Sequence, residues 1–304
     1  MKITLHQPYS FCQVGARDYQ EDCRFPDADE PKQYAPFFVV CDGVGGSEKG
    51  EVASRTVCEA FATALADTDW DKPFLNSDFK TALDFVYKSM HKAANSTNRD
   101  MATTLTFAAF HAEGCTVAHI GDSRIYHVRP HKGILYRSDD HSLVNALVHS
   151  GNLTPEEAIN HPNSNVITRC ICVPEDGQEL ASATVMLIED IVAGDYIFLC
   201  SDGVLHKLTE EALVDILSSD LSDKEKMNQI AQMCIHSDDN NTAYLIPISQ
   251  VQKDEIPYEE VEDANDVGTS TTVFSRKPQQ AREVASEAKS TLYDNIRHFF
   301  KNLF

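Results

Sequence analysis

The 304-residue chain carries 47 acidic against 26 basic residues, a net charge of -21, with 42% hydrophobic and 24% charged residues. That composition suits a folded protein of one large domain or two small ones, and its negative charge disfavours non-specific binding to nucleic acid or anionic lipid. The nine cysteines are an odd number, scattered singly apart from Cys170 and Cys172, and no stretch is apolar enough for a secretory signal or a membrane span. Reduced thiols in a cytoplasm, and no transmembrane segment, are therefore expected.

In chain order, FFVVC (37–41), TLTFAAF (104–110), CTVAHI (115–120), YIFLC (196–200) and TAYLIPI (242–248) read as strands. Apolar residues three and four apart predict helices over 53–65, 79–94, 210–217 and 224–235. The strands between Thr104 and Val128 follow one another closely with glycine turns between them, which favours antiparallel pairing and an α+β fold. Between Asp140 and Asn165 the segment SGNLTPEEAINHPNS predicts an excursion of two short helices, split at Gly151-Asn152 and capped by Thr154 and Glu157. A first domain is thus expected over 1–250. An acidic linker over 251–280 and an amphipathic helix over 281–304 are expected to follow, the helix with Val284, Ala288, Leu292, Ile296, Phe299 and Leu303 on one stripe. That stripe needs a cover, and docking on the chain's own domain or on a partner comes before contact with a membrane surface.

Carboxylates stand where apolar strands end. FFVVCDGVGG runs into Asp42 and then a glycine-rich turn, and YIFLCSDGV repeats the arrangement at Asp202. One Asp-Gly after a strand is an ordinary turn; two, accompanied by others, suggest ligands mounted on the rim of a sheet. RDYQED places Arg17, Glu21 and Asp22 within six residues, IGDSR follows a strand with Asp122, and SDDNNTAYLIPI sets Asp238 and Asp239 before the last one. Hard divalent cations such as Mg²⁺ and Mn²⁺ take oxygen ligands of this kind. A pair of them about 3.5–4 Å apart can activate water and clamp a phosphoryl group. Zinc-protease spacing, a P-loop and a nucleophile elbow are all missing from the sequence.

The ordered set RDYQED, CDGVGG, MATTL, GDSR, DDHS, NVITR, CSDG and DDNNTA, running from Arg17 to Ala243, resembles the successive motifs of the type 2C metal-dependent Ser/Thr protein phosphatases in their bacterial form. The resemblance implies a β-sandwich flanked by helices on both faces and hydrolysis of phosphoserine and phosphothreonine without a covalent intermediate. It implies that Asp42 bridges two Mn²⁺ or Mg²⁺ ions, that the Gly43 carbonyl, Asp202 and Asp239 complete the ligand set, and that Glu21 and Asp22 act through water. Arg17 would hold the substrate phosphate, Asp122 would serve a third cation, and the 140–165 excursion would be the family's flap. The substrates would be phosphoproteins, the products of Ser/Thr kinases. Val44 stands where eukaryotic members have a histidine, so the proton for the leaving oxygen would come from a water on the metals or from His141, itself more readily read as a structural residue. A catalytically dead scaffold and a hydrolase of small phosphoesters are the competing readings, and the full carboxylate set favours an active enzyme.

Overall fold

The computed structural model describes residues 1–44, 48–94, 100–159, 161–173 and 179–253. The chain divides into a unit over Met1–Glu255 and another over Ile256–Phe304. The acidic linker from residue 254 onward and the C-terminal amphipathic segment lie outside the described residues. Along the first unit run β1 (Lys2–Leu5), β2 (Tyr9–Gln13), β3 (Cys23–Phe25), β4 (Phe37–Cys41), β5 (Gly43–Val44), α1 (Glu48–Ala64), α2 (Asn76–Ala93), β6 (Ala102–Thr103), β7 (Leu105–His111) and β8 (Gly114–Ile120). Then follow β9 (Arg124–Arg129), β10 (Gly133–Arg137), α3 (Leu143–His149), α4 (Pro155–Ile159), β11 (Ile171–Cys172), β12 (Thr184–Ile188), β13 (Tyr196–Cys200), α5 (Asp202–Leu205), α6 (Glu210–Ser218), α7 (Asp223–Cys234) and β14 (Asn241–Gln252).

Among the described residues all the strand pairs are antiparallel. One sheet has the order β12-β8-β7-β4-β3, the other β1-β14-β13-β9-β10 with β2 also on β14, and a small third sheet has the order β11-β6-β5. Alternation along the strands shows how the layers stack. In β4, Phe37, Val39 and Cys41 join the core shared with α1 and α2, whereas Phe38 and Val40 join a second core with Ile125, Ile197, Leu199, Tyr244 and Ile246 of the other sheet. In β13, Phe198 and Cys200 turn to a third core with Leu213, Ile216, Met227 and Ile230 of α6 and α7, while Ile197 and Leu199 face the sandwich. Strands buried on both faces read as unbroken apolar runs, which is why FFVVC and YIFLC show no polar alternation. The layers are therefore helix, sheet, sheet, helix, as the family resemblance implies.

The helices obey local rules. Ser222 caps α7 reciprocally with Glu225, and Thr154 and Glu157 exchange the expected pair of hydrogen bonds before α4. Several strand ends differ from their sequence-based limits, and two of them have a visible cause. β7 starts at Leu105 and not at Thr104, because Thr104 N–H donates to the Asp42 carbonyl and its hydroxyl accepts from Asp42 N–H. β14 continues beyond Ile248 to Gln252 because β1 pairs with its second half, Lys2 opposite Gln252, whereas β2 pairs with its first half. Pro247, lacking an N–H, sits where the outer partner changes from β2 to β1.

Candidate active site

Asp22, Asp42, Asp122, Asp202 and Asp239 lie within reach of one another's charge, Asp42 and Asp202 directly after β4 and β13 and Asp239 shortly before β14. Asp42 leaves β4 and is clasped by the end of β6 and the residue that links it to β7: Thr103 Oγ1 and Thr104 N–H donate to its carbonyl at 2.7 and 2.9 Å, and its own N–H donates to Thr104 Oγ1 at 3.0 Å. The next residue, Gly43, pairs with Thr103 in the small sheet. A Cβ on Gly43 would stand 2.4 Å from the Gly50 carbonyl oxygen and 2.5 Å from that of Glu21, so only glycine lets the three backbone segments meet. Glu21 is 8% exposed and is held by its backbone, its N–H donating to Asn240 Oδ1 and its carbonyl accepting from Ser54 Oγ.

Asp22 is 5% exposed. Its Oδ2 accepts from Ser201 Oγ at 2.8 Å, whereas its Oδ1 has no hydrogen-bond partner. Asp202 opens α5, directly after β13, and its Oδ1 is likewise buried without a partner. Asp239 Oδ1 accepts from Asn240 N–H, and its Oδ2 accepts from Arg17 Nη2 at 2.7 Å. Arg17 also donates from Nε to the Asp238 carbonyl, and its side chain is 48% exposed, so it stands at the rim over the cluster. A cleft of about 160 Å³ opens beside Asp22, lined by Tyr19, Glu51, Ser54 and Arg55 among others.

The electrostatics of this cluster are unfavourable as they stand. Lost hydration and the Asp202 and Asp239 charges, opposed by the hydrogen bond from Ser201, push Asp22 up to about 7. Asp122 also rises to about 7, from burial first and then from Asp202 and Asp140, with Arg124 opposing. Asp42 is held well above the carboxylate range by lost hydration and by the neighbouring Asp22 and Asp202 carboxylates. Asp202 is raised too, chiefly by burial. Like charges packed this closely require protons or cations between them. Among the described residues no three His, Cys, Asp or Glu side chains are drawn to full metal-ligating spacing. The unpartnered oxygens of Asp22 and Asp202 and the all-oxygen donor set nevertheless fit hard divalent ions.

Several residues that hold this arrangement have no assigned role in the sequence reading. Asn240 binds Glu21 N–H through Oδ1 and the Val14 and Tyr19 carbonyls through Nδ2, joining the N-terminal loop to the start of β14. Ser201, which belongs to no catalytic triad, orients Asp22. Both lie inside the recurring motifs, but their partners are about 200 residues away in sequence. His141, by contrast, lies off the cluster, stacked on His119 with ring centroids 4.4 Å apart, and burial, His119 and Arg169 push it down to about 3.

Residues 20–236 match the family model described as Protein phosphatase 2C. The chain belongs to the type 2C protein phosphatase family. A relative, Protein phosphatase PhpP of Streptococcus pneumoniae, is 33% identical over 218 residues, which cover 70% of this chain and 85% of PhpP. The Serine/threonine phosphatase stp of Listeria welshimeri is 28% identical over 232 residues, 74% of this chain and 89% of its own length. The solved phosphatase PstP/Ppp of Mycobacterium tuberculosis superposes with a TM-score of 0.70 at 26% identity, covering 81% of this chain and all of that one. A solved PstP catalytic domain in complex with two manganese ions has a TM-score of 0.68 at 25% identity, covering 82% of this chain and all of its own. Fold and family together make this type 2C chain a metal-dependent Ser/Thr protein phosphatase with the mixed α+β architecture of its relatives.

Proposed function

We propose that the chain removes phosphate from phosphoserine and phosphothreonine of proteins at a centre for two Mn²⁺ or Mg²⁺ ions held by Asp42, the Gly43 carbonyl, Asp202 and Asp239. Glu21 and Asp22 act there through water, and Asp122 serves a third cation. The observation that carries this reading is the group of mutually repelling, partly unpartnered carboxylates at one sheet end. The two manganese ions of the solved PstP domain support it. When bound, the cations supply the positive charge that activates a water and neutralises the phosphoryl oxygens.

The protein's own groups do the rest. Asp42 and Gly43 are set by the Thr103, Thr104 and Gly50 contacts, so the donors are placed before any substrate arrives. Arg17, at the rim and already aligned by Asp239, presents its remaining N–H donors to phosphate, where a guanidinium gives paired hydrogen bonds. Val44 has no proton for the departing seryl or threonyl oxygen, and His141 is turned to other partners, so that proton comes from solvent at the centre. In this reading residues 1 to about 250 form the phosphatase domain and 140–165 its flap, the substrates are phosphoproteins made by Ser/Thr kinases, and the location is cytoplasmic. Among the described residues no helix is long and apolar enough to cross a membrane.

Dialysis against a chelator should abolish hydrolysis of a phosphothreonine peptide, and added Mn²⁺ or Mg²⁺ should restore it, whereas thiol alkylation should leave it intact. Full turnover in protein shown by elemental analysis to be metal-free would overturn the assignment.

A further inference from the structure

His141 makes five polar contacts, the longest to Arg169 Nη1 at 3.4 Å, and none is to the carboxylate cluster itself. Its N–H donates to the Gly121 carbonyl at 2.9 Å, and its carbonyl accepts from Thr168 N–H at 2.7 Å. Its Nδ1 accepts from Gly121 N–H at 3.2 Å, and its Nε2 lies 2.9 Å from Thr184 Oγ1. A backbone N–H is an obligate donor, so Nδ1 is bare and the ring proton sits on Nε2, which gives it to Thr184 Oγ1 as the shorter contact, with Arg169 Nη1 3.4 Å away on the same side. The ring stacks at 13° on His119, whose Nε2 donates to the Asp139 carbonyl at 2.7 Å.

The gripped residue is the critical one. Gly121 has φ +101°, and a Cβ there would stand 2.7 Å from the Thr104 side chain, so the turn rests directly on Thr104. Asp122 follows Gly121. Ser123 Oγ then bonds Thr104 Oγ1 at 2.7 Å, the same hydroxyl that accepts from Asp42 N–H. On its other side His141 closes the base of the 142–166 segment, where Ser142 bridges Ile167 and Leu143 N–H donates to the Val166 carbonyl.

We propose that His141 is a positioning residue for the phosphatase reaction, gripping Gly121 from both its peptide faces and so fixing the Asp122 carboxylate and the root of the flap relative to the metal centre. The proposal rests on the reading of Asp122 as ligand to a third cation. Partners that orient metal ligands typically cost about 10-fold or more when removed.

The test compares His141→Ala, His141→Asn, whose carboxamide oxygen can replace Nδ1 as acceptor, Thr184→Val at an exposed site, and Asp122→Ala. Each is measured by steady-state kinetics on a phosphothreonine peptide, by calorimetric Mn²⁺ titration and by amide exchange at Gly121 in the metal-free protein. His141→Ala is expected to lower kcat about 10-fold with KM within about twofold, to weaken the lowest-affinity Mn²⁺ site about 10-fold while sparing the tight sites, and to deprotect Gly121. His141→Asn should recover most of each loss, and Thr184→Val should show a smaller loss in the same direction. If His141→Ala does not fold, the ordering of wild type, His141→Asn and Thr184→Val decides, and a Thr184→Val variant with unchanged kcat, weak-site affinity and Gly121 protection overturns the proposal. A wild-type kcat and weak-site affinity in His141→Ala, beside a damaged Asp122→Ala, overturns the grip alone. Unchanged turnover and Mn²⁺ binding in Asp122→Ala overturns the third-cation reading, and the purpose of the grip with it.

Discussion

Arg17 Nη2 donates to Asp239 Oδ2 at 2.7 Å, so the residue proposed to meet the substrate already touches a proposed metal ligand. With the two side chains 48% and 25% exposed, the ion pair itself contributes little to stability. Its consequence is orientation. Arg17→Ala should therefore lower kcat/KM by about 2–3 kcal/mol, roughly 30- to 150-fold, through lost hydrogen bonds to phosphate, with the tight metal sites kept. Arg17→Lys, which retains charge without the planar fork, should recover part of that. Peptide kinetics and metal calorimetry on the same preparations check it, and metal sites lost along with activity would place Arg17 in the ligand scaffold. Residue identity made the carboxylates legible: Asp42 and Asp202 each end an apolar strand at a glycine. The supports were not legible, because Asn240 reaching Glu21 and Ser201 reaching Asp22 follow only from the folded chain.

Among the elements, the long strands and helices announce themselves by period or by unbroken apolar runs. The two-residue strands β5, β6 and β11 are too short to carry a pattern, yet they hold Gly43. Farther from the site, β13 begins at a buried ionic junction, where Asp195 accepts from His127 Nε2 at 2.9 Å and from Arg129 Nε at 2.8 Å and is 1% exposed. Burial alone would raise the Asp195 carboxyl, but the hydrogen bonds from Arg129, His127 and Val192 N–H outweigh it and hold it at about 2. Because the folded value lies below the unfolded one of 3.8, the stabilisation is complete above that value and is lost as pH falls towards about 2. It amounts to about 2 kcal/mol. Asp195→Asn should lower stability by at least about that much at pH 7 and flatten the acid limb of the stability curve between pH values of about 4 and 2. Urea melts across that range measure it, and an unchanged acid limb would show that the junction is not ionic in this sense.

At the scale of the whole molecule, the carboxylates come from points between Glu21 and Asp239, and the two packed sheets deliver them to one end. The eight motifs announced that convergence, and the helix, sheet, sheet, helix order follows from three cores filled by alternating residues. β14 reaches past residue 250, where Val251 and Gln252 pair with Ile3 and Lys2. A chain ending at Glu255 should hydrolyse a small aryl phosphate at the wild-type rate, whereas one ending at Ser249 should melt at lower temperature. Lost turnover in the longer truncation would move the catalytic unit's limit into the C-terminal segment. The central claim is that Asp42 holds two cations in one centre. Calorimetric Mn²⁺ titration of Asp42→Ala tests it most directly: wild-type protein should bind two ions tightly and the variant should lose both tight sites, whereas two tight sites retained in the variant would contradict the account.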